Sequence, residues 1–242
     1  MSTSQARSRE ISSRTLVFRQ ALAAAFKARR QTVPAAPESL PALLEACGRG
    51  PQGLSGLACN ALSEVRALLF RTPGREAEAE SWWNESVATA AFGARLAELR
   101  RVSVPAAFCA GLLHRAGEAL ALKVLARVEL EYRAQLDRAA CRDWCTGHGH
   151  ELLEQIVRAW RLNPRISECV LGWTRFGELT AVSDENAALY FGRLFAIELL
   201  QPGFCVPGAI DHAAADFGLG RDVLAQVRAE EPRIRELLRS LG

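Results

Sequence analysis

The stretch AAFCAGLLHRAGEALAL, residues 106–122, carries the decision about this chain's fold. Small and apolar side chains fill it, without the strict alternation that marks a half-buried strand. Ser103, just ahead of it, is placed to cap a helix, and Pro105 suits the first turn, where a missing N–H costs nothing. Leu112, Leu113, Leu120 and Leu122 then belong to that helix and to its continuation past Gly117. His114-Arg115 is the polar interruption. On its residues alone, a histidine directly after two leucines is a core or half-buried imidazole bonded to nearby backbone before it is a ligand.

The helical reading extends in both directions. Upstream, Leu54, Leu57, Ala58, Ala61, Leu62, Val65, Leu68 and Leu69 recur at three-and-four spacing behind Pro51, and RTPGREAE ends that helix. Another runs from about Ala77 to Arg100. Nearer the start, residues 14–30 place Phe18, Leu22, Ala25 and Phe26 on one face. The loop QTVPAAPESLP follows, and a short helix runs from Ser39 to about Gly48. Downstream, a helix over 124–140 is expected to break at CTGHGH (145–150). An amphipathic helix over 150–162 then carries Leu152, Leu153, Ile156, Val157 and Trp160. Asn163-Pro164 opens a short helix with Ile166, Val170 and Leu171, and Asp184 is placed to cap a long one to Leu200. Short helices near 207–216 and from 221 follow, the last kinked or split by Pro232. The expected fold class is therefore all-α, a compact multi-helix domain. Leu57, Leu112, Leu113, Leu153, Ile156, Trp160, Val170, Leu189 and Leu199 are expected in its core.

Composition supports this. Of 242 residues, 49% are hydrophobic and 24% charged, enough for a sizeable core. No apolar run reaches the roughly 18–20 residues of a membrane span, and MSTSQARSREISSR lacks the apolar centre of a secretion signal, so a cytoplasmic location is expected. Cys59, Cys109 and Cys169 sit beside apolar residues in helical patterns and read as reduced, buried thiols. The net charge of +3 is uneven. Residues 1–33 hold Arg7, Arg9, Arg14, Arg19, Lys27, Arg29 and Arg30 against Glu10 alone, which makes that segment +6 and the remainder −3. Such a helix suits an acidic partner or nucleic acid. Phe18 and Phe26, the aromatics there, fall on the apolar face, so no aromatic interleaving supports a nucleic-acid platform; a solvated face is the simpler reading and nucleic acid is not expected.

Residues 106–122 resemble the helix that carries the His-Asp dyad of HD-superfamily hydrolases, where an imidazole and a carboxylate project toward a divalent metal that activates water. The chain resembles more closely the HDOD family, the HD-related output domain of bacterial signalling proteins. WWNESVATAAFGARLAELRRVSVPAAFCAGLLHRAG (82–117) is similar to that family's Trp-x-x-Ser helix followed by its Gly-Leu-Leu-His helix. HELLEQIVRAWRLNPRISECV (150–170) is similar to its next helix pair, SLPALLEACGRGPQGLSGLACNALSEVRALLF (39–70) to the pair before the Trp helix, and ENAALYFGRLFAIELL (185–200) to its closing part. The resemblance covers residues 38–242, leaving 1–37 as a basic helix and Pro-rich linker.

The departures from the pattern matter most. The resemblance puts the superfamily's upstream histidine at Glu85 or Asn84 and the dyad's aspartate at Arg115. A further histidine falls at Gly149, and a histidine pair at Trp173-Thr174. An arginine at the aspartate position places a permanent cation where a dication would sit. No metal or other cofactor is therefore expected, and no catalysis. Arg115 is free to pair instead with Glu85 or Glu118. A second constellation, Cys141, Cys145, His148 and His150, offers four nitrogen and sulfur ligands if a turn at Gly147 folds the histidines back toward the cysteines. It matches no common zinc spacing, and two helix-facing cysteines beside two loop histidines is the simpler reading. Trp82 and Trp83 are expected not to face inward together, which leaves one for a partner surface with Arg19, Lys27, Arg29 and Arg30.

The resemblance implies a non-catalytic regulatory domain in bacterial signal transduction that binds a partner protein or a nucleotide second messenger. Two other readings stay open. One is a residual metal-dependent phosphohydrolase that uses Glu85, His114 and His148. The other is a nucleic-acid-binding regulator that uses the basic segment.

Overall fold

A computed structural model describes residues 17–28, 33–41, 43, 56–173, 182–204 and 208–241. Among them there is no strand, and the all-α expectation holds. The helices are α1 (17–28), α2 (Gly56–Val65), α3 (Glu76–Arg100), α4 (Val104–Leu113), α5 (Ala116–Tyr132), α6 (Arg138–Ala159), α7 (Pro164–Trp173), α8 (Asp184–Leu200), α9 (Ala209–Asp216), α10 (Arg221–Arg228) and α11 (Glu231–Leu241). Between α2 and α3 the chain makes a single π turn, Arg66–Phe70.

α3 is the axis of the molecule. It is buried along most of its length, with α8 and α4 packed closely against it, and α5 pairs with α6. The α3–α8 crossing is close because glycines meet there: a Cβ on Gly192 would lie 2.7 Å from Gly93 N and 2.8 Å from Thr89 O. The apolar interior divides into one cluster around α3–α7 and another between α3 and α8–α11. Leu112, Leu113, Leu153, Ile156, Trp160, Val170, Leu189 and Leu199 are all buried, as expected. Phe18, Leu22 and Phe26 anchor α1 to the core. The expectations for Leu57, Pro51 and residues 1–16 lie outside what is described.

Local signals act where they were placed. The Ser103 hydroxyl accepts the Ala106 N–H with Pro105 in the first turn. Asn163-Pro164 separates α6 from α7 as expected, and the Asn163 Oδ1 also accepts the Ile166 N–H at 2.9 Å, a cap not read from the sequence. The terminal helix is split into α10 and α11 just before Pro232.

Four expectations need correction. The helix of residues 106–122 does not run through. It stops at Leu113 and restarts at Ala116, so His114 caps α4 and Arg115 precedes α5. The break expected at CTGHGH falls instead at residues 133–137. There Arg133 takes a left-handed conformation (φ 49°) to close α5, and Asp137 caps α6 by accepting the Ala140 N–H. Gly147 and Gly149 are carried inside α6: Gly149 packs on α5, where a Cβ on it would lie 2.6 Å from Glu118 Cγ and a methyl on Gly117 would run into its carbonyl, while Gly147 has nothing within 4 Å. At Gly149 close packing outweighs the residue's roughly 1 kcal/mol helix penalty. The cap of α8 is Ser183, whose hydroxyl accepts the Asn186 N–H, with Asp184 the first helical residue. Finally, Trp82 and Trp83 both face inward, at 7% and 1% exposure; the solvent face of α3 at that turn is narrow and is taken by Ser81, with Glu80 and Asn84 half-buried beside it. They form no partner surface.

Candidate functional site: an ion-pair cluster on the central helix

Glu85 sits in the buried middle of α3, and three cationic or imidazole groups converge on it. Arg115 Nη1 lies 3.2 Å from Glu85 Oε2 and Arg193 Nε 2.8 Å from Oε1, while His114 Nε2 lies 3.6 Å from Oε1. The α4–α5 break supplies two of these groups, since His114 and Arg115 turn toward α3 where the helix stops. α8 supplies Arg193. Arg115 also reaches Glu118 at 2.7 Å, one turn into its own helix, and its guanidinium lies 4.9 Å above the Trp82 ring. Trp82 thus floors the cluster.

His114 is fixed from behind. Its Nδ1 is 2.7 Å from the Gly111 carbonyl, which can only accept, so Nδ1 carries a proton. The Trp173 ring stands edge-on to the imidazole at 5.7 Å, and the Arg193 guanidinium packs 5.3 Å from the same indole. Trp173 therefore closes the side that the resemblance assigns to a histidine pair. Gly149 stands at the far edge, where a Cβ would press on Glu118. All five positions singled out from the dyad pattern (Glu85, His114, Arg115, Gly149 and Trp173) thus border one cluster.

Burial alone would raise the Glu85 carboxyl. The adjacent imidazole and the charges of Arg115 and Arg193 more than reverse this and hold it well below the usual carboxylate range. Glu85 is an ionised, fully engaged carboxylate. A divalent ion about 5 Å from one of these guanidiniums would be opposed by roughly 7 kcal/mol at an effective dielectric of about 20. The carboxylate that should offset this is already neutralised twice. With one imidazole, a saturated carboxylate, a glycine and an indole, the donor set does not fit a catalytic divalent ion.

A family model for the HDOD domain matches residues 52–174, just over half of the chain. The chain belongs to the HDOD family. No curated protein and no solved structure gives a match. The segment matched as HDOD contains Glu85, His114, Arg115, Gly149 and Trp173. Arg193 lies beyond it, and sequence reading missed it. In ENAALYFGRLFAIELL it is the only cation, set in an apolar stretch, and only the α3–α8 crossing brings it to Glu85.

The cysteine–histidine constellation does not assemble in this HDOD chain. With α6 continuous, Cys141 and Cys145 are buried one turn apart, whereas His148 packs on Phe26 at 4.2 Å and Trp144 at 4.7 Å. His150 points outward and pairs with Glu154 at 3.2 Å. No group of three or more potential ligands stands ready for a metal among the described residues. Burial pushes the Cys169 thiol up to about 12, the mark of an inert core cysteine. Arg19 and Lys27 are exposed on α1, while Arg29 and Arg30 lie outside the described residues. No described helix is long and apolar enough to cross a membrane.

Proposed function

We propose that this protein is a non-catalytic HDOD domain that acts in bacterial signal transduction by binding a partner protein or a nucleotide second messenger in the cytoplasm. The observation that carries the reading is the Glu85–Arg115–Arg193 cluster. It replaces a metal's positive charge with two guanidiniums while keeping the surrounding helices pinned to α3. Such a substitution retains a rigid helical surface and gives up the means to activate water. Family membership supports the role, and the charges support the loss of chemistry.

The test uses the purified full chain loaded with manganese, iron or zinc, compared with the Glu85→His/Arg115→Asp double variant. The wild-type protein is expected to retain far less than one metal per chain and to show no metal-dependent hydrolysis of a phosphodiester. About one metal per chain held through His114, with metal-dependent turnover, refutes the proposal and favours the residual phosphohydrolase.

A further inference from the structure

The buried side chains of α1 are Phe18, Leu22 and Phe26. Spaced i, i+4 and i+8, they form one stripe down the helix. Ala21 and Ala25 are half-buried beside the stripe, while Arg19, Gln20, Ala23, Ala24 and Lys27 face solvent. The stripe lies on the α5–α6 pair. Phe18 meets Tyr132, at the end of α5, edge-on with ring centres 6.5 Å apart. Phe26 meets Trp144 of α6 edge-on at 6.0 Å and packs 4.2 Å from His148, one turn further along. The chain stays beside α6 after α1. Trp160 Nε1 donates to the Pro34 carbonyl at 2.9 Å, and Val33 and Ala36 pack against the same core.

Two observations set α1 apart from the helices beneath it. α1 and residues 33–36 lie outside the segment matched as HDOD, residues 52–174, whereas Tyr132, Trp144, His148 and Trp160 lie inside it. The matched segment therefore has an apolar face that chain from outside it covers. The second observation is the length of α1. A helix of residues 17–28 is marginal on its own in water, so the face beneath it supports its helicity. Apolar anchors one turn apart, set into an apolar face with the polar side outward, are how domains take an amphipathic helix from another protein. α1 has the form of such a ligand carried on the same chain. A tethered ligand is held at high effective concentration, and a competitor for the same face releases it.

We propose that the α5–α6 face is a docking surface for an amphipathic helix of a partner protein, and that α1 is a strap that occupies it until such a helix displaces it. The partner's helix is defined by what α1 presents. It carries large apolar side chains at i, i+4 and i+8, aromatic at the outer two positions, with small residues at i+3 and i+7 for close approach. Its polar side faces outward. α1 is then an autoinhibitory element, and the face opens to a helix that outcompetes the tethered one. This inference rests on the partner-protein arm of the proposed function and names the surface that arm uses.

The experiment compares the full wild-type chain with the full-length Leu22→Asp/Phe26→Asp variant, which undocks α1 without deleting it. Fluorescence anisotropy follows two labelled probes. One is a peptide of residues 15–30, and the other a designed Ala/Glu/Lys helix with Phe, Leu and Phe at i, i+4 and i+8. A control helix carries the same three residues at i, i+5 and i+10, off a common face. Both probes are expected to bind the variant at one site, roughly tenfold or more tighter than the wild type, because the tethered competitor is gone. The control is expected not to bind. The variant should keep its cooperative urea unfolding, and amide exchange in the wild type should show α1 opening while α6 stays protected. No saturable binding of the designed helix to the variant at about 100 μM overturns the proposal, as does equal affinity for wild type and variant or for the respaced control. Loss of cooperative unfolding in the variant, or exchange of α1 and α6 together, makes α1 an integral helix and overturns it too. A wild-type dimer in sedimentation that the variant abolishes puts a second copy's α1 on the face and overturns the assignment to a partner. The metal and turnover assay reads the Glu85 cluster separately, so failure here leaves the non-catalytic reading standing.

Discussion

Glu85→Gln keeps the shape of the side chain and removes its charge, so it isolates what the ion-pair cluster contributes. The starting figure is the roughly 3–5 kcal/mol lost when one partner of a buried pair is deleted and the other is left uncompensated. Two observations reduce it. Arg115 keeps Glu118 at 2.7 Å, and Arg193 is 31% exposed, so water recovers part of its share. The expected loss is about 2–3 kcal/mol near neutral pH. With a urea m-value of about 2–3 kcal/mol/M, the unfolding midpoint falls by about 1 M. The pH dependence has a definite sign. The folded carboxyl is held well below its ordinary value of 4.5. Its stabilisation is therefore complete above that value and lost as pH falls through and below it toward the folded pKa. The gap between wild type and variant should be full at pH 5 and narrow steadily toward pH 3. A gap under about 1 kcal/mol at pH 5, or one that does not change with acid, refutes the account of Glu85 as an ionised carboxylate between guanidiniums.

Gly149→Ala should destabilise by at least about 2 kcal/mol, because its Cβ presses on Glu118 at the α5–α6 crossing. Gly147→Ala, two residues away with nothing within 4 Å of the added methyl, should stabilise α6 by about 0.5–1 kcal/mol; thermal melts of the pair distinguish a continuous helix from a loop there. Arg133→Gly should raise stability by a few tenths to about 1 kcal/mol in urea titration, because an exposed arginine at φ 49° occupies the left-handed position that glycine prefers. Asp137→Ala should cost about 1 kcal/mol by removing the acceptor for the Ala140 N–H, and should speed amide exchange in the first turn of α6 relative to its middle.

The sequence by itself determined the fold class, because the three-and-four apolar period needs no partner to be read. The same period placed Leu153, Ile156 and Trp160 in the core. The Ser103 cap was legible for the same reason, since a hydroxyl three residues ahead of an N–H acts within one turn. The arginine in place of the dyad's aspartate was legible too, because Arg115 is charged whatever surrounds it. Helix ends that depend on packing were not legible. CTGHGH carries two glycines and reads as a break, yet Gly149 lets α5 and α6 touch, Gly147 sits in open space inside the same helix, and the chain breaks at Arg133, where sequence shows no stop signal. Trp82 and Trp83 misled in the same way. The solvent face of α3 at that turn is narrow and falls on Ser81, with Glu80 and Asn84 half-buried, so both indoles turn inward. Arg193 is the clearest case of tertiary decision. Nothing within its own helix marks it, and 108 residues separate it from Glu85. Only the glycine-to-glycine crossing of α3 and α8 brings the guanidinium within 2.8 Å of the carboxylate. A residue's charge and its helical period are local properties, whereas the partner that neutralises a buried charge is chosen by which helices pack together.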